Sequence, residues 1–315
     1  MAPAAEHADL LVGPASFDDA GVVRRPDGTV GLYTVDFFPP VVDDPRDYGA
    51  VAAANSLSDV YACGGEAEVV LNLAGFPGDW DEELIGEIME GAVEVVREAG
   101  ALWVGGHTVR SEEPLFGFAV FGSADEDHLL RQDGARPGDL LYLTKPLGAG
   151  SITTGIKTEA SRPEDVAVAV AGMRALNRDA ARAARRAGAH AATDVTGFGL
   201  LGHAANLATN SEATFVLRSE ALPLYPGAAD LARAGVLSGG SARGRAALEH
   251  VVEVAPTVPD WLAALCFDAE TSGGLLVAVP PEGAAAFQEA CEAGTVPVHE
   301  LVGEVLAGPG RVRLT

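Results

Sequence analysis

The residues most suggestive of chemistry in this sequence are carboxylates set among apolar neighbours. Asp18-Asp19 stand in a Phe-Asp-Asp-Ala-Gly-Val segment near the start of the chain. Asp36 interrupts the apolar run Tyr33-Thr34-Val35-Asp36-Phe37-Phe38. Asn55 and Asp59 are four residues apart in an Ala/Val-rich stretch, which puts them on one face of a helix. Both are weak helix formers at positions that read as buried on one side. Asp194 sits between Thr193 and Val195-Thr196, in what reads as a turn. Any one of these is readily a cap or a surface residue. Taken together they need another account, because a carboxylate away from water stays ionised only with partners, and Mg2+ is a natural partner for oxygen ligands. The set predicts a nucleoside triphosphate held through hard cations and without a P-loop.

Two glycine turns fit that chemistry. Gly105-Gly106-His107-Thr108 follows an apolar segment; its glycines let backbone N–H groups approach an anion and Thr108 adds a hydroxyl. His107 reads as a hydrogen-bonded loop histidine, not a catalytic base. Thr271-Ser272-Gly273-Gly274, ahead of Leu275-Leu276, is similar. Two other strings mislead. Gly197-Phe198-Gly199-Leu200-Leu201-Gly202 matches GxGxxG, but residues 190–196 before it are short and polar where a dinucleotide fold has a buried strand. It reads as a glycine-eased turn into a helix, with Asp194 at its mouth. Residues 150–158 nearly form a P-loop, but Ile156 intrudes between Gly155 and Lys157.

These residues need a scaffold, and the chain is long enough for two domains. It has 315 residues, 48% hydrophobic and 21% charged, with a formal net charge of −24. Such acidity disfavours nucleic acid and anionic lipid as partners. The sole lysines are Lys145 and Lys157, and the densest basic stretch, residues 174–186, has the spacing of a solvated helix face. Three cysteines without paired spacing point to a reducing compartment, and the N-terminus lacks the pattern of a signal peptide, so a cytoplasmic protein is expected. Alternating patterns predict strands at 30–38, 66–76, 102–104, 115–121 and 140–143, with helices at 45–63 and 79–99 between them. After Lys145-Pro146-Leu147-Gly148 the pattern shifts. A long Ala/Arg helix is expected over 163–187, strands at 215–217, 275–279, 302–305 and 312–314, and a helix at 283–293. The boundary falls near 140–150.

The matching stretches together resemble selenophosphate synthetase (selenide, water dikinase), of the aminoimidazole ribonucleotide synthetase-like ATP-binding superfamily. They are Asp18-Asp19-Ala20, residues 35–43, residues 53–65, Gly105-Gly106-His107-Thr108, residues 143–148, the run Thr193-Asp194-Val195-Thr196-Gly197-Phe198-Gly199-Leu200-Leu201-Gly202-His203, and residues 268–276. The resemblance implies a two-domain α/β (α+β) fold: an N-terminal domain over 1–142 that binds ATP and Mg2+ and dimerises through its sheet, and a C-terminal α/β domain over 143–315. It implies ATP in a groove between domains with its phosphates clamped by Mg2+. Asp19, Asp59 and Asp194 would be metal ligands. Ser16, Phe17, Asp18, Asp36, Asn55, Asp59, Gly106, His107 and Thr108 would line the nucleotide site. The reaction implied turns ATP, selenide and water into selenophosphate, AMP and phosphate, in a cytoplasmic homodimer.

The chain departs from the family in places. The family carries a glycine-rich N-terminal loop with a Cys or selenocysteine followed closely by a Lys; here the chain starts nine residues before Leu10, so neither catalytic residue is in this sequence. A start assigned downstream of an in-frame UGA, a truncation of other origin, or a non-catalytic ATP-binding paralogue would each explain this. The expectation is that the chain as written binds Mg-ATP but turns over selenide poorly. Glu270 stands where the family has Gln, Gly244 where Asn is usual, and Phe17 replaces a more polar residue. Thiamine-phosphate kinase and aminoimidazole ribonucleotide synthetase share the acidic layout and are the sister alternatives.

Overall fold

The computed structural model describes residues 7–14 and 18–315. The chain divides into two units, Met1–Leu129 and Leu130–Thr315.

In the first unit, strands β1 (Leu10–Val12), β2 (Gly21–Arg24), β3 (Thr29–Phe38), β4 (Glu66–Phe76), β5 (Leu102–Arg110) and β6 (Leu115–Asp125) form one sheet in the order β1-β2-β3-β6-β4-β5. All neighbours are antiparallel except β4 and β5. Helix α1 (Pro45–Ala62) packs against β3, β6 and a second helix, α2 (Glu82–Ala99). Helix α1 begins where the sequence signals it. The Asp44 carboxylate accepts the Asp47 N–H at 2.9 Å, and Pro45 occupies the first turn. It ends at Gly64, whose φ of 76° lets the Gly65 N–H turn back to the Val60 carbonyl at 2.9 Å.

Sandwiched between sheet and helix, α1 is apolar or small nearly all round and almost wholly buried. Its crossing with α2 is set by two glycines. A Cβ on Gly49 would fall 1.8 Å from the Ile88 carbonyl oxygen, and one on Gly91 would fall 1.9 Å from that of Arg46. The helices touch backbone to backbone at both points.

The second unit holds a seven-stranded sheet: β7 (Leu140–Leu143), β8 (Ala191–Asp194), β9 (Ala213–Leu217), β10 (Val252–Val254), β11 (Leu275–Val279), β12 (Glu300–Ala307) and β13 (Arg311–Leu314). Their order is β10-β13-β9-β12-β7-β11-β8, parallel only where β13 meets β10 and β9. Helices α3 (Ala149–Lys157), α4 (Pro163–Arg174), α5 (Arg178–Arg186), α6 (Gly199–Asn210), α7 (Ala228–Arg233), α8 (Ser241–Leu248), α9 (Asp260–Cys266) and α10 (Ala284–Ala293) accompany it. The uninterrupted apolar run of β11 is that of a strand flanked on both sides and covered on both faces.

Two sequence expectations need correcting here, and a third reading, the rejection of a P-loop, stands. The single helix expected over 163–187 is two, α4 and α5, with an extended break at Ala175. The break frees the Ala175 carbonyl, which accepts a hydrogen bond from Lys145 Nζ at 2.7 Å. Asp194 is not in a turn: it closes β8, a short edge strand buried along its length and antiparallel to β11. Polar Thr193 and Asp194 hid that strand from an apolar count. The residues of the near P-loop lie inside α3, so they form no phosphate loop.

A polar core ties these pieces together. Lys145 Nζ also donates to the Ser272 carbonyl at 2.7 Å, and burial lowers Lys145 to about 7, against the pull of Asp194. The Glu270 carboxylate accepts the N–H groups of Gly148 and Ala149 at 2.6 and 2.9 Å, where α3 begins. Burial raises Glu270 to about 8 in spite of those donors.

Two stability predictions follow from this packing. Gly91→Ala is expected to cost about 1–3 kcal/mol through backbone clash. Gly86→Ala, in the same helix with nothing within 4 Å of the added methyl, gains up to about 1 kcal/mol; denaturant titration reads both. Folded Glu270 keeps its proton to about pH 8, whereas an unfolded Glu releases it near pH 4.3. Between those values the folded state holds the extra proton, so stability falls as pH rises across the window. Lys145 acts oppositely, adding stability with rising pH above about 7. Glu270→Gln is therefore expected to flatten the melting temperature profile between roughly pH 5 and pH 7, below the Lys145 range.

Candidate metal and nucleotide site

Helix α1 runs antiparallel to β3, and four side chains interlock between them. Thr34 and Asp36 are two apart on β3 and so share a face; Asn55 and Asp59 are one helical turn apart. Asn55 Nδ2 donates to Asp36 Oδ2, and Thr34 Oγ1 donates to Asp59 Oδ2 at 2.5 Å. Ser56 completes the seam. Its hydroxyl lies 3.0 Å from the Asp36 carbonyl oxygen and accepts the Phe118 N–H at 3.2 Å, between β3 and β6.

The acids concentrate negative charge at one end of α1. A carboxylate oxygen of Asp19 lies within 4.8 Å of one of Asp59. The Asp18 carboxylate accepts the Asp19 N–H at 3.0 Å. Buried Cys63, at the end of α1, registers this field. Burial pushes its thiol well up, and the charges of Asp19, Asp18 and Asp59 push it the same way. The last turn of α1 carries no basic residue, and a helix C-terminus is itself negative. Burial also raises the Asp36 carboxyl, against hydrogen bonds from the Phe37 N–H and Asn55. A divalent cation would relieve each of these costs. Two oxygens on one Mg2+ stand at most about 4.2 Å apart, twice the Mg–O distance; a separation within 4.8 Å is compatible with a shared hard ion or a close pair of ions.

The sheet register places Gly106 and Thr108 of β5 relative to these acids. Asp36 pairs with Phe118, Phe118 with Asn72, and Asn72 with Gly106, so all four lie on one row and one face. Three strand spacings, about 14 Å, separate Asp36 from Gly106. A Cβ on Gly106 would sit 2.0 Å from Asn72 Oδ1, so no larger residue fits there. Thr108 shares the face of Asp36, while His107 is on the row of Phe37, on the opposite face. Residues 102–110 form an exposed edge strand rather than the short strand and loop expected.

Asp194, in the second unit, is 1% exposed at the end of β8. The Val195 N–H beyond it donates to the Gly274 carbonyl at 2.8 Å. The structure thus brings together Asp18, Asp19, Asp36, Asn55 and Asp59. It sets Gly106 and Thr108 apart on the same face, and His107 on the other. Ser16 and Phe17 lie outside the described residues. Sequence reading passed over Thr34 and Ser56, although Thr34 stands two residues from Asp36 on the same strand face. It named His203, Lys145 and Glu270 but gave none of them a structural role.

Comparison with known proteins agrees with this architecture. The family described as AIR synthase related protein matches in both parts, its N-terminal domain over residues 17–124 and its C-terminal domain over 136–314. The selenide, water dikinase of Caldanaerobacter subterraneus subsp. tengcongensis is 43% identical over 276 residues, which cover 88% of this chain and 80% of that protein. Among solved structures, tt0281 from Thermus thermophilus superposes with a TM-score of 0.72 at 26% identity, covering 94% of this chain and 88% of its own. Hydrogenase maturation protein HypE in complex with ATP superposes with a TM-score of 0.70 at 17% identity, over 96% of this chain and 86% of its own, a likeness of fold. On the match of both halves of the chain and the 43% identity over 88% of it, the chain belongs to the selenide, water dikinase family of AIR synthase related proteins.

Proposed function

We propose that this protein makes selenophosphate from selenide, ATP and water, releasing AMP and phosphate. The carrying observation is the crowding of Asp18, Asp19 and Asp59 about the negative end of α1, in a chain of this family. Asp19, Asp59 and Asp194 are assigned as ligands of Mg2+. The ions supply charge neutralisation for the phosphates, which is most of what phosphoryl transfer needs besides positioning. The protein's own residues do the positioning. Thr34 orients the Asp59 carboxylate through Oδ2, and Asn55 orients that of Asp36. Gly106 and Thr108 are assigned to the nucleotide on the same sheet face, with Ser16, Phe17 and Asp18 contributing from the segment before β2. His107 would reach it from the far side of β5, an edge strand exposed on both faces.

We also assign the first unit's sheet as the homodimer surface. On the face away from α1, β3 presents Tyr33, Val35 and Phe37 at 39%, 55% and 47% exposure, an apolar row that water solvates poorly. The compartment assigned is the cytoplasm, on the three buried free thiols. Among the described residues no helix is long and apolar enough to cross a membrane.

Selenide is expected to stimulate ATP consumption weakly in the chain as written and strongly once the family's Cys- and Lys-bearing loop is joined to it, with AMP and orthophosphate seen by 31P NMR. Stimulation by thiamine phosphate or formylglycinamidine ribonucleotide in its place would assign the chain to a sister reaction. Asp59→Asn is expected to raise the Mg2+ requirement for ATP binding by about 10–100-fold while leaving the far-UV spectrum intact. Val35→Glu is expected to convert a dimer to monomer in sedimentation velocity, since a charge in an apolar interface is desolvated without a partner.

A further inference from the structure

One side chain grips the chain on both sides of Asp194. His203 lies near the start of α6, 6% exposed. Its Nε2 accepts the Thr196 backbone N–H at 3.1 Å and lies 3.3 Å from Thr196 Oγ1. A backbone N–H can only donate, so Nε2 is the acceptor and the proton sits on Nδ1. Nδ1 stands 3.4 Å from Thr193 Oγ1, which also accepts from Gln132 Nε2 at 3.1 Å. Burial pushes His203 down to about 4, so the ring is neutral and able to accept across the ordinary pH range. The main chain around it is pinned independently. The Thr196 carbonyl accepts the N–H groups of Gly199 and Glu270, each at 2.9 Å, and Val195 is tied to Gly274. What the imidazole adds is a brace from Thr193 to Thr196, across the two residues that begin with Asp194.

We propose that His203 is a positioning residue for Asp194: with its proton on Nδ1, it clasps Thr193 and Thr196 and so fixes the carboxylate for a divalent cation. The inference rests on the assignment of Asp194 as a metal ligand. His203 itself touches Thr193 and Thr196 and acts through the strand end between them. Groups that orient a ligand in this way tune metal affinity more than they tune the fold.

Two amides separate the nitrogens. In His203→Gln the amide oxygen reaches the place of Nε2 and accepts the Thr196 N–H. In His203→Asn the shorter amide reaches only the place of Nδ1 and leaves that N–H without its acceptor. Binding of a fluorescent N-methylanthraniloyl ATP to the full chain, titrated with Mg2+, reads the difference. The half-saturating Mg2+ concentration is expected to rise about tenfold in the Asn variant and to stay within about twofold in the Gln variant. At saturating Mg2+ all three proteins should bind the nucleotide alike.

Equal Mg2+ requirements in the Asn variant and the unaltered chain overturn the inference. So does an equal rise in both variants, or a loss of binding that saturating Mg2+ does not restore. If the unaltered chain shows no Mg2+-dependent nucleotide binding, the functional reading fails and this inference falls with it. Should the Asn variant not fold, 15N spectra of the unaltered protein decide, with the His203 signals identified by their loss in the Gln variant. An Nδ1–H tautomer is expected, and an Nε2–H tautomer overturns the clasp.

Discussion

A coincidence of two repeats governs the first unit. Four residues of α-helix rise about 6 Å, and two residues of β-strand about 6.7 Å. A helix laid antiparallel on a strand can therefore match an i, i+4 pair to an i, i+2 pair. That match joins Asn55 to Asp36 and Asp59 to Thr34. In each of these pairs the donor is neutral, so it orients the carboxylate without bringing a charge of its own. An Arg or Lys in place of Asn55 or Thr34 would have neutralised the acids and removed any need for a cation. The neutral partners keep the field that the buried Cys63 thiol registers.

The match works only if α1 lies at a fixed depth and rotation over the sheet. Small residues set the depth. Gly49 and Gly91 bring α1 and α2 into backbone contact, and the Ser56 hydroxyl stands in the β3–β6 ladder between the Asp36 carbonyl and the Phe118 N–H. Capping sets the rotation and the ends. Asp44 and Pro45 fix where the helix starts, and Gly64 fixes where it stops, so Asp59 falls in the last turn with Asp19 beside it. The acids and glycines are thus parts of one device, though nearly fifty residues of chain separate some of them from others.

Much of this device was legible in the sequence. The acidic cap, the terminal glycines and the four-residue spacing of Asn55 and Asp59 are local signals, and strands 66–76, 140–143 and 275–279 appear with the bounds that their patterns give. What escaped is what depends on distant partners. No local pattern shows that Thr34 faces Asp59, because that contact is made by packing a strand on a helix. Strand β8 was hidden because its register to β11 buries Thr193 and Asp194, residue types that read as a turn. The break between α4 and α5 was hidden for a related reason: an Ala/Arg run has high helix propensity, and the interruption is taken up by Lys145, some thirty residues earlier, through the Ala175 carbonyl.

Lys145 and Glu270 show how the second unit uses the same logic with the opposite outcome. Both are buried, and each satisfies backbone groups that tertiary structure leaves without helix or sheet partners. Lys145 takes the carbonyls of Ala175 and Ser272, and Glu270 takes the N–H groups of Gly148 and Ala149. In its ionised form Glu270 suits both donors. A carboxylate offers two oxygens to the two N–H groups, whereas an amide offers one oxygen and would set its own N–H2 against the other donor. Burial opposes the charge that this arrangement favours, and the raised pKa of Glu270 is the balance between them. Such polar side chains of this unit hold loops, including the segment from Gly273 to Leu275 that lies against the Asp194 end of β8. Asp194 differs from them in its surroundings: the strand end that carries it is tied on both sides through threonines and backbone, the support that the proposed ligand role would require.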